Sequence, residues 1–182
     1  MSAAVPSLVR DVEHARARVL DAVAGVTSAQ GAWKPAPGEW SIAECLEHLC
    51  LAEQNGINGM WKVLESVRGG AAPAGGERAI RGLSIEEVLK RFAPPNPQAS
   101  EMTRPRLFGP LAYWSAAFGG LTPVLATFAR AVEPLDLESV IHPHPALGPL
   151  DARQRLELLR AHMDVHRDQI EAVKRAPGYP RA

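Results

Sequence analysis

The sequence predicts an all-α fold, an up-and-down helix bundle with a short extra helix and long loops. Three observations predict it. Apolar residues recur at helical spacing in four long stretches, clear start and stop signals bracket those stretches, and no alternating run suggests a strand ladder. Packing the apolar stripes of such helices against one another is the simplest way to bury them.

The first stretch runs from about Ser7 to Val26, with Leu8, Val12, Ala15, Val19, Ala22, Val23 and Val26 on one face. Pro6 or Ser7 can open it, and Gly25 to Ser28 close it. Ala29 to Gly38, with Trp33, Pro35 and Pro37, reads as a loop. The second stretch starts at Ser41. Ser41 and Glu44 have capping-box spacing, and Trp40 with Cys45 can form the hydrophobic staple. Its apolar face, Ile42 to Leu64, ends at Gly69-Gly70. Asn55, Gly56, Asn58 and Gly59 weaken its middle and predict a kink.

Ala71 to Gly82 is rich in Ala, Gly and Pro and reads as a mobile loop. Ser84 to Glu87 opens a short helix reaching Phe92, and Pro94, Pro95 and Pro97 end it. Ala93 to Gly109 is a second long loop, of the kind that often carries function. In Leu111 to Val132, Trp114, Phe118, Leu121, Leu125 and Phe128 form a broad apolar face. Pro123 there predicts a kink, or a later start with Thr122 as cap and Pro123 at the first helical position. His142 to Leu150 holds three prolines and reads as a rigid connection. Asp151 caps the last helix, which runs to Lys174, and Pro177-Gly178 end it.

The length of 182 residues suits a single domain over 1–182. Twenty basic residues balance twenty acidic ones and no basic stripe stands out, which argues against nucleic acid as a partner. Met1 to Arg10 lacks a signal-peptide pattern, and no apolar run approaches the roughly 18 residues of a membrane span. The expectation is a cytoplasmic protein that acts on a small molecule. Cys45 and Cys50, five apart in one helix, lie well round it from each other and predict reduced thiols.

His162 and His166 stand four apart in the last helix, one above the other on its inner face beside Leu159, Met163 and Ile170. Two imidazoles so placed can share a metal ion. His48, between Leu46 and Leu49 near the core stripe of the second stretch, is a candidate third ligand. Three imidazoles leave positions open for water or substrate, the arrangement of a catalytic site rather than a structural one. The bland alternative is a set of core histidines with one hydrogen-bond partner each.

The run Glu39-Trp40-Ser41-Ile42-Ala43-Glu44-Cys45-Leu46-Glu47-His48-Leu49 resembles a signature of the DinB-like (DinB/YfiT) superfamily, a Trp-Ser start leading to His-Leu. The stretch from His142 through Gly148 to Leu150, followed by His162-Met163-Asp164-Val165-His166-Arg167-Asp168-Gln169-Ile170, is similar to its second signature. The resemblance covers nearly the whole chain. It implies a four-helix bundle whose second and last helices hold a divalent ion, commonly zinc or nickel, through His48, His162 and His166. It also implies thiol-dependent chemistry, as in S-transferases and a thiol-dependent isomerase, and the expected reaction is metal activation of a low-molecular-weight thiol, or of water in a hydrolase-like step, for attack on an electrophile. Many such bundles form homodimers. The Ala/Arg/Pro-rich composition suggests a GC-rich bacterial genome, where mycothiol is a reasonable thiol to test.

A reading from another class keeps the bundle and removes the catalysis: a metal- or ligand-binding module with a stress-related or regulatory role, its site closed by a fourth protein ligand such as Cys45. Cys45 otherwise serves as a small buried residue. His142 can line the site entrance or act in a turn. Glu44 and Asp164 are candidate carboxylates for fixing an imidazole tautomer, or solvent-facing residues. Trp33 and Trp40 read as packing at the bundle end, while Trp61 and Trp114 suit a pocket or the core. Arg104 and Arg167 are available for a carboxylate of a thiol cofactor.

Overall fold

Four capping boxes fix where helices begin. Thr27 with Gln30, Ser41 with Glu44, Ser84 with Glu87, and Asp151 with Gln154 each exchange side-chain and backbone hydrogen bonds at a helix start. The structure, a computed structural model, describes residues 5–71, 80–95, 98–133 and 135–181. Most of the expected loop Ala71 to Gly82 lies outside the described residues.

Helices α1 (Val5–Val23), α2 (Ser28–Ala32), α3 (Ile42–Arg68), α4 (Ile85–Phe92), α5 (Leu111–Gly119), α6 (Thr122–Val132) and α7 (Ala152–Arg175) carry the fold. Between α6 and α7 stand a 3-10 turn, Leu137–Ser139, and two short strands, β1 (Ile141–His144) and β2 (Gly148–Asp151).

The expected four-helix bundle is present, built from α1, α3, the joined α5–α6 pair and α7. The up-and-down order has one refinement. Arg18 bonds Asp164 and Lys174 bonds the Ala22 carbonyl, so α1 and α7 run parallel. His48 meets His162 while Gly56 meets Leu159 and Arg155, so α3 and α7 run antiparallel. Cys50 meets Trp114 and Trp61 meets Phe128, so α3 and α5–α6 run parallel. Each of α1 and α3 packs on both α7 and α5–α6, which leaves α1 and α3 diagonal to each other. The order is therefore up-down-down-up: the α1–α3 connection crosses one end of the bundle, and the α3–α5 connection runs back along its length.

Val12, Val19, Ile42, Leu46, Leu64, Phe118, Leu125, Phe128 and Leu156 are fully buried at its centre. Truncating any of the leucines to Ala costs about 2–5 kcal/mol. One polar group crosses this core. Arg16 of α1, 1% exposed, pairs with Glu53 of α3, 2% exposed, and also bonds Glu13 and Thr122. Its guanidinium also lies over the Phe118 ring. A second, smaller apolar cluster joins Ile80, Ile85 and Val88 to Leu147 and Leu150, docking α4 on the hairpin and the start of α7.

Four local expectations change. Residues 42–68 form one helix through Gly56 and Gly59. Thr122 is the first residue of α6, not its cap; its hydroxyl is drawn into the Arg16–Glu13 network instead. The capping box at Thr27 turns part of the expected loop into α2. The rigid connection His142–Leu150 is a hairpin, with Pro143 opposite Pro149. Two facing prolines suit a pair of positions that exchange no ladder bonds, so neither missing N–H is needed. Gly148, at φ 81°, takes the left-handed turn that β2 needs.

By length and composition alone, Leu111–Val132 could cross a membrane, contrary to the expectation that no apolar run approaches that length. In the fold the chain turns at Gly120 and Leu121. Leu111, Trp114, Phe118, Leu125 and Phe128 are buried in the core, while Tyr113 and Val124 are exposed.

Candidate metal centre

The triad assembles between the first turns of α3 and the middle of α7. The Ser41 capping box sets the helical phase of α3 so that His48 faces α7. The phase of α7, set at Asp151, places His162 and His166 on the opposing face. The Nε2 atom of His162 lies 3.1 Å from Nε2 of His48 and 3.0 Å from Nε2 of His166. Among the described residues these three form a group of donors able to hold an ion, their ligand atoms all within 4.8 Å of one another.

The far side of each outer ring fixes its tautomer. His48 Nδ1 lies 2.8 Å from the backbone carbonyl of Thr103, and His166 Nδ1 lies 2.8 Å from Gln169 Oε1. Both partners accept, so both Nδ1 atoms carry the proton and both Nε2 atoms present bare lone pairs. His162 Nε2 sits between them with at most one proton, which can satisfy only one neighbour. Three nitrogens converging with one proton among them match a cation. Their spacing is close to the separation of about 3.3 Å that tetrahedral ligation at about 2.0 Å imposes. Burial drives His48 down, His162 well below its usual range and His166 to about 4, so all three are neutral and ready to ligate near pH 7.

Trp40 covers the centre. Its ring stands 4.9 Å from the His48 ring and stacks at 6.1 Å over His166. The expected packing residue at the bundle end thus forms one wall of the site.

Glu47 holds the loop that reaches His48. This side chain is 1% exposed. Its Oε1 accepts the backbone N–H groups of Arg106, at 2.5 Å, and Leu107, at 2.7 Å, and its Oε2 accepts that of Phe108 at 3.2 Å. Phe108 adopts φ 56°, rare for an aromatic residue, and its side chain is exposed. The carboxylate offsets that strain and pins the loop, and the pinned loop presents Thr103. Sequence reasoning missed Glu47; its place beside a candidate ligand, facing inward, was the available signal.

Other candidates fall elsewhere. Cys45 is fully buried, its thiol pushed up to about 12, and it is not part of the donor group; the fourth-ligand expectation fails. Glu44 caps α3 and bonds Lys34, while Asp164 bonds Arg18, so neither holds an imidazole. Thr103 and Gln169 do that work. Arg167 pairs with Asp168. His144 makes the turn, accepting the N–H groups of Ala146 and Leu147 at Nδ1. His142 lies on β1 against α3, where a Cβ on Gly59 would sit 2.2 Å from its ring. The residues that looked like helix weakness make room for it. A surface groove lined by Gln30, Lys174, Gly178 and Arg181 contains none of the three histidines.

The sequence profile of the DinB superfamily matches residues 11–170. The chain belongs to the DinB superfamily. Among solved structures it is similar to a protein described as "YfiT from Bacillus subtilis is a probable metal-dependent hydrolase with an unusual four-helix bundle topology". The two share 14% identity at a TM-score of 0.56, over 97% of this chain and 89% of that one. At that identity the likeness shows the fold. No curated protein matches the chain.

Proposed function

We propose that this DinB-superfamily protein is a divalent-metal-dependent enzyme in which His48, His162 and His166 hold zinc or nickel. The carrying observation is the convergence of three neutral Nε2 atoms with no fourth protein donor among the described residues. A bound divalent ion supplies Lewis acidity, lowering the pKa of a thiol or water so that a nucleophile exists near neutral pH. The chain's own residues orient and shield. Thr103 and Gln169 hold two imidazoles as Nδ1–H tautomers, Trp40 excludes water from one side, and partly exposed His162 faces the approach.

Glu47 is committed to three amides and Asp164 to arginine, so no described carboxylate beside the rings is free to act as a base. This favours a nucleophile acidic enough to be deprotonated on the ion itself. We read it as a low-molecular-weight thiol, with mycothiol the first to test, attacking an electrophilic small molecule; water is the alternative nucleophile. The test is metal content per chain on untagged protein, beside His162→Ala. About one ion per chain, lost in a variant that keeps its helical circular dichroism, supports the reading, and a thiol-transferase screen follows. Retention of the metal by His162→Ala would sink the assignment.

A further inference from the structure

Two helical turns from the triad, the seam between α3 and α7 holds a charge with no partner among the described residues. Arg155, on α7, is 7% exposed, and its Nη1 atom has no hydrogen-bond partner among the described residues. No described carboxylate pairs with it, and burial alone pulls its guanidinium down to about 10. Arg16 shows how this fold treats a structural guanidinium: Glu53, Glu13 and Thr122 all bond it. An uncompensated buried cation lowers stability, so it persists where something other than stability retains it.

Its position joins it to the site. Arg155 and His162 are seven residues apart on α7 and so share a face, two turns apart. Its Nη2 lies against α3 at Gly56, where a Cβ would sit 3.2 Å away. One turn further along α3, at Gly59, lies His142, whose Nδ1 is also buried and unpartnered among the described residues. The Arg155 charge, after burial, holds His142 and His144 below their usual range. The neighbouring cations on α7 are committed, Arg153 to Glu157 and Arg160 to Glu86.

We propose that Arg155, with His142 Nδ1 beside it, is the receptor for a carboxylate on the small molecule that the three-histidine site acts on. One free guanidinium balances one carboxylate, and its fork matches that planar group. The ligand's role rests on the metal-site reading above; its binding to Arg155 does not require the metal.

The test uses chelator-stripped protein near pH 7.5, titrated with succinate or inorganic phosphate against sodium chloride of equal ionic strength, and followed by thermal midpoint. Wild type should rise in midpoint with succinate. Arg155→Met should lose the succinate response while its ligand-free midpoint exceeds that of wild type, because removing an unpaired buried charge relieves the fold. Arg155→Lys, which keeps charge and loses the fork, should bind succinate about tenfold more weakly or worse. A ligand-free midpoint below wild type in Arg155→Met, or its failure to fold, would make Arg155 structural and overturn the proposal. So would an equal succinate response in all three proteins, or a response to phosphate alone. Zinc uptake measured in parallel separates the two readings. Zinc bound by Arg155→Met leaves the triad intact, and no zinc in wild type fails the metal site while leaving the succinate result standing.

Discussion

Replacing Glu47 with Gln tests whether a buried carboxylate positions a metal ligand through a loop. The Glu47 carboxylate accepts three backbone N–H groups, from Arg106, Leu107 and Phe108. Hydrogen bonds to a charged group contribute about 1.5–3 kcal/mol each. In Glu47→Gln the amide oxygen can keep the Arg106 and Leu107 bonds in weakened form, while the NH2 group faces the Phe108 N–H, donor against donor. Losing one charge-assisted bond and weakening two predicts a destabilisation of the loop by about 2–4 kcal/mol. Phe108, held at φ 56°, is then released from its strained turn. Amide hydrogen exchange at 106–108 is the direct assay, and a loss of that size speeds exchange by roughly 30- to 1000-fold if local opening governs it. The Thr103 carbonyl should leave His48 with the loop, and removal of such a partner weakens metal affinity about 10- to 100-fold. Unchanged exchange at 106–108 would refute the anchoring argument. Faster exchange with unchanged affinity in chelator competition would refute the link from loop to ligand.

Three further outcomes follow from the same geometry. Gly59→Ala gains about 1 kcal/mol of helix propensity, yet its Cβ would meet the His142 ring at 2.2 Å. The variant should be less stable by about 1–3 kcal/mol in urea unfolding, and a stabilised Gly59→Ala would mean the hairpin yields freely. Asp151→Ala removes the α7 cap, which costs about 1 kcal/mol or roughly 2–4 °C in a thermal melt; no shift would show α7 anchored by packing alone. Acid should destabilise the metal-free protein. His166 is depressed to about 4 by burial and then by neighbouring His48, so the unfolded chain takes up the proton first, near pH 6.5. Its contribution is full above 6.5 and is lost as pH falls toward 4, on the order of 3 kcal/mol. Glu53, raised by burial, works oppositely and offsets part of this. Urea midpoints that stay flat from pH 7.5 to 4.5 would count against the buried neutral triad.

Local signals carried much of this fold. Ser41, Ser84 and Asp151 announced their helices because a capping box needs only four residues of sequence. The 141–151 hairpin was hidden because three prolines look incompatible with strands, and only the facing of Pro143 and Pro149 removes the conflict. His162 and His166 were legible as a pair from one helix; His48 was a candidate from its place near the core stripe and by resemblance, since nothing in periodicity says which helices touch. The roles of Gly56, Gly59 and Arg155 were illegible for the same reason, and Glu47 offered only its place beside His48. Each matters through a contact made roughly 60 to 100 residues away in the chain, as Glu47 with Arg106 and Gly56 with Arg155 show.

The buried Arg16–Glu53 pair bears on which bundle forms at all. Four apolar helices can be wound into several topological isomers that bury similar surface, and apolar packing alone discriminates weakly among them. A charge on α1 and its counter-charge on α3 meet here across the core, and they need those two helices to face each other at this level. Any arrangement that separates them strands two ions in hydrocarbon. The double variant Arg16→Met/Glu53→Leu should therefore melt no lower than wild type, yet give more than one set of amide resonances. A single native spectrum from that variant would assign the choice of isomer to the connections between the helices.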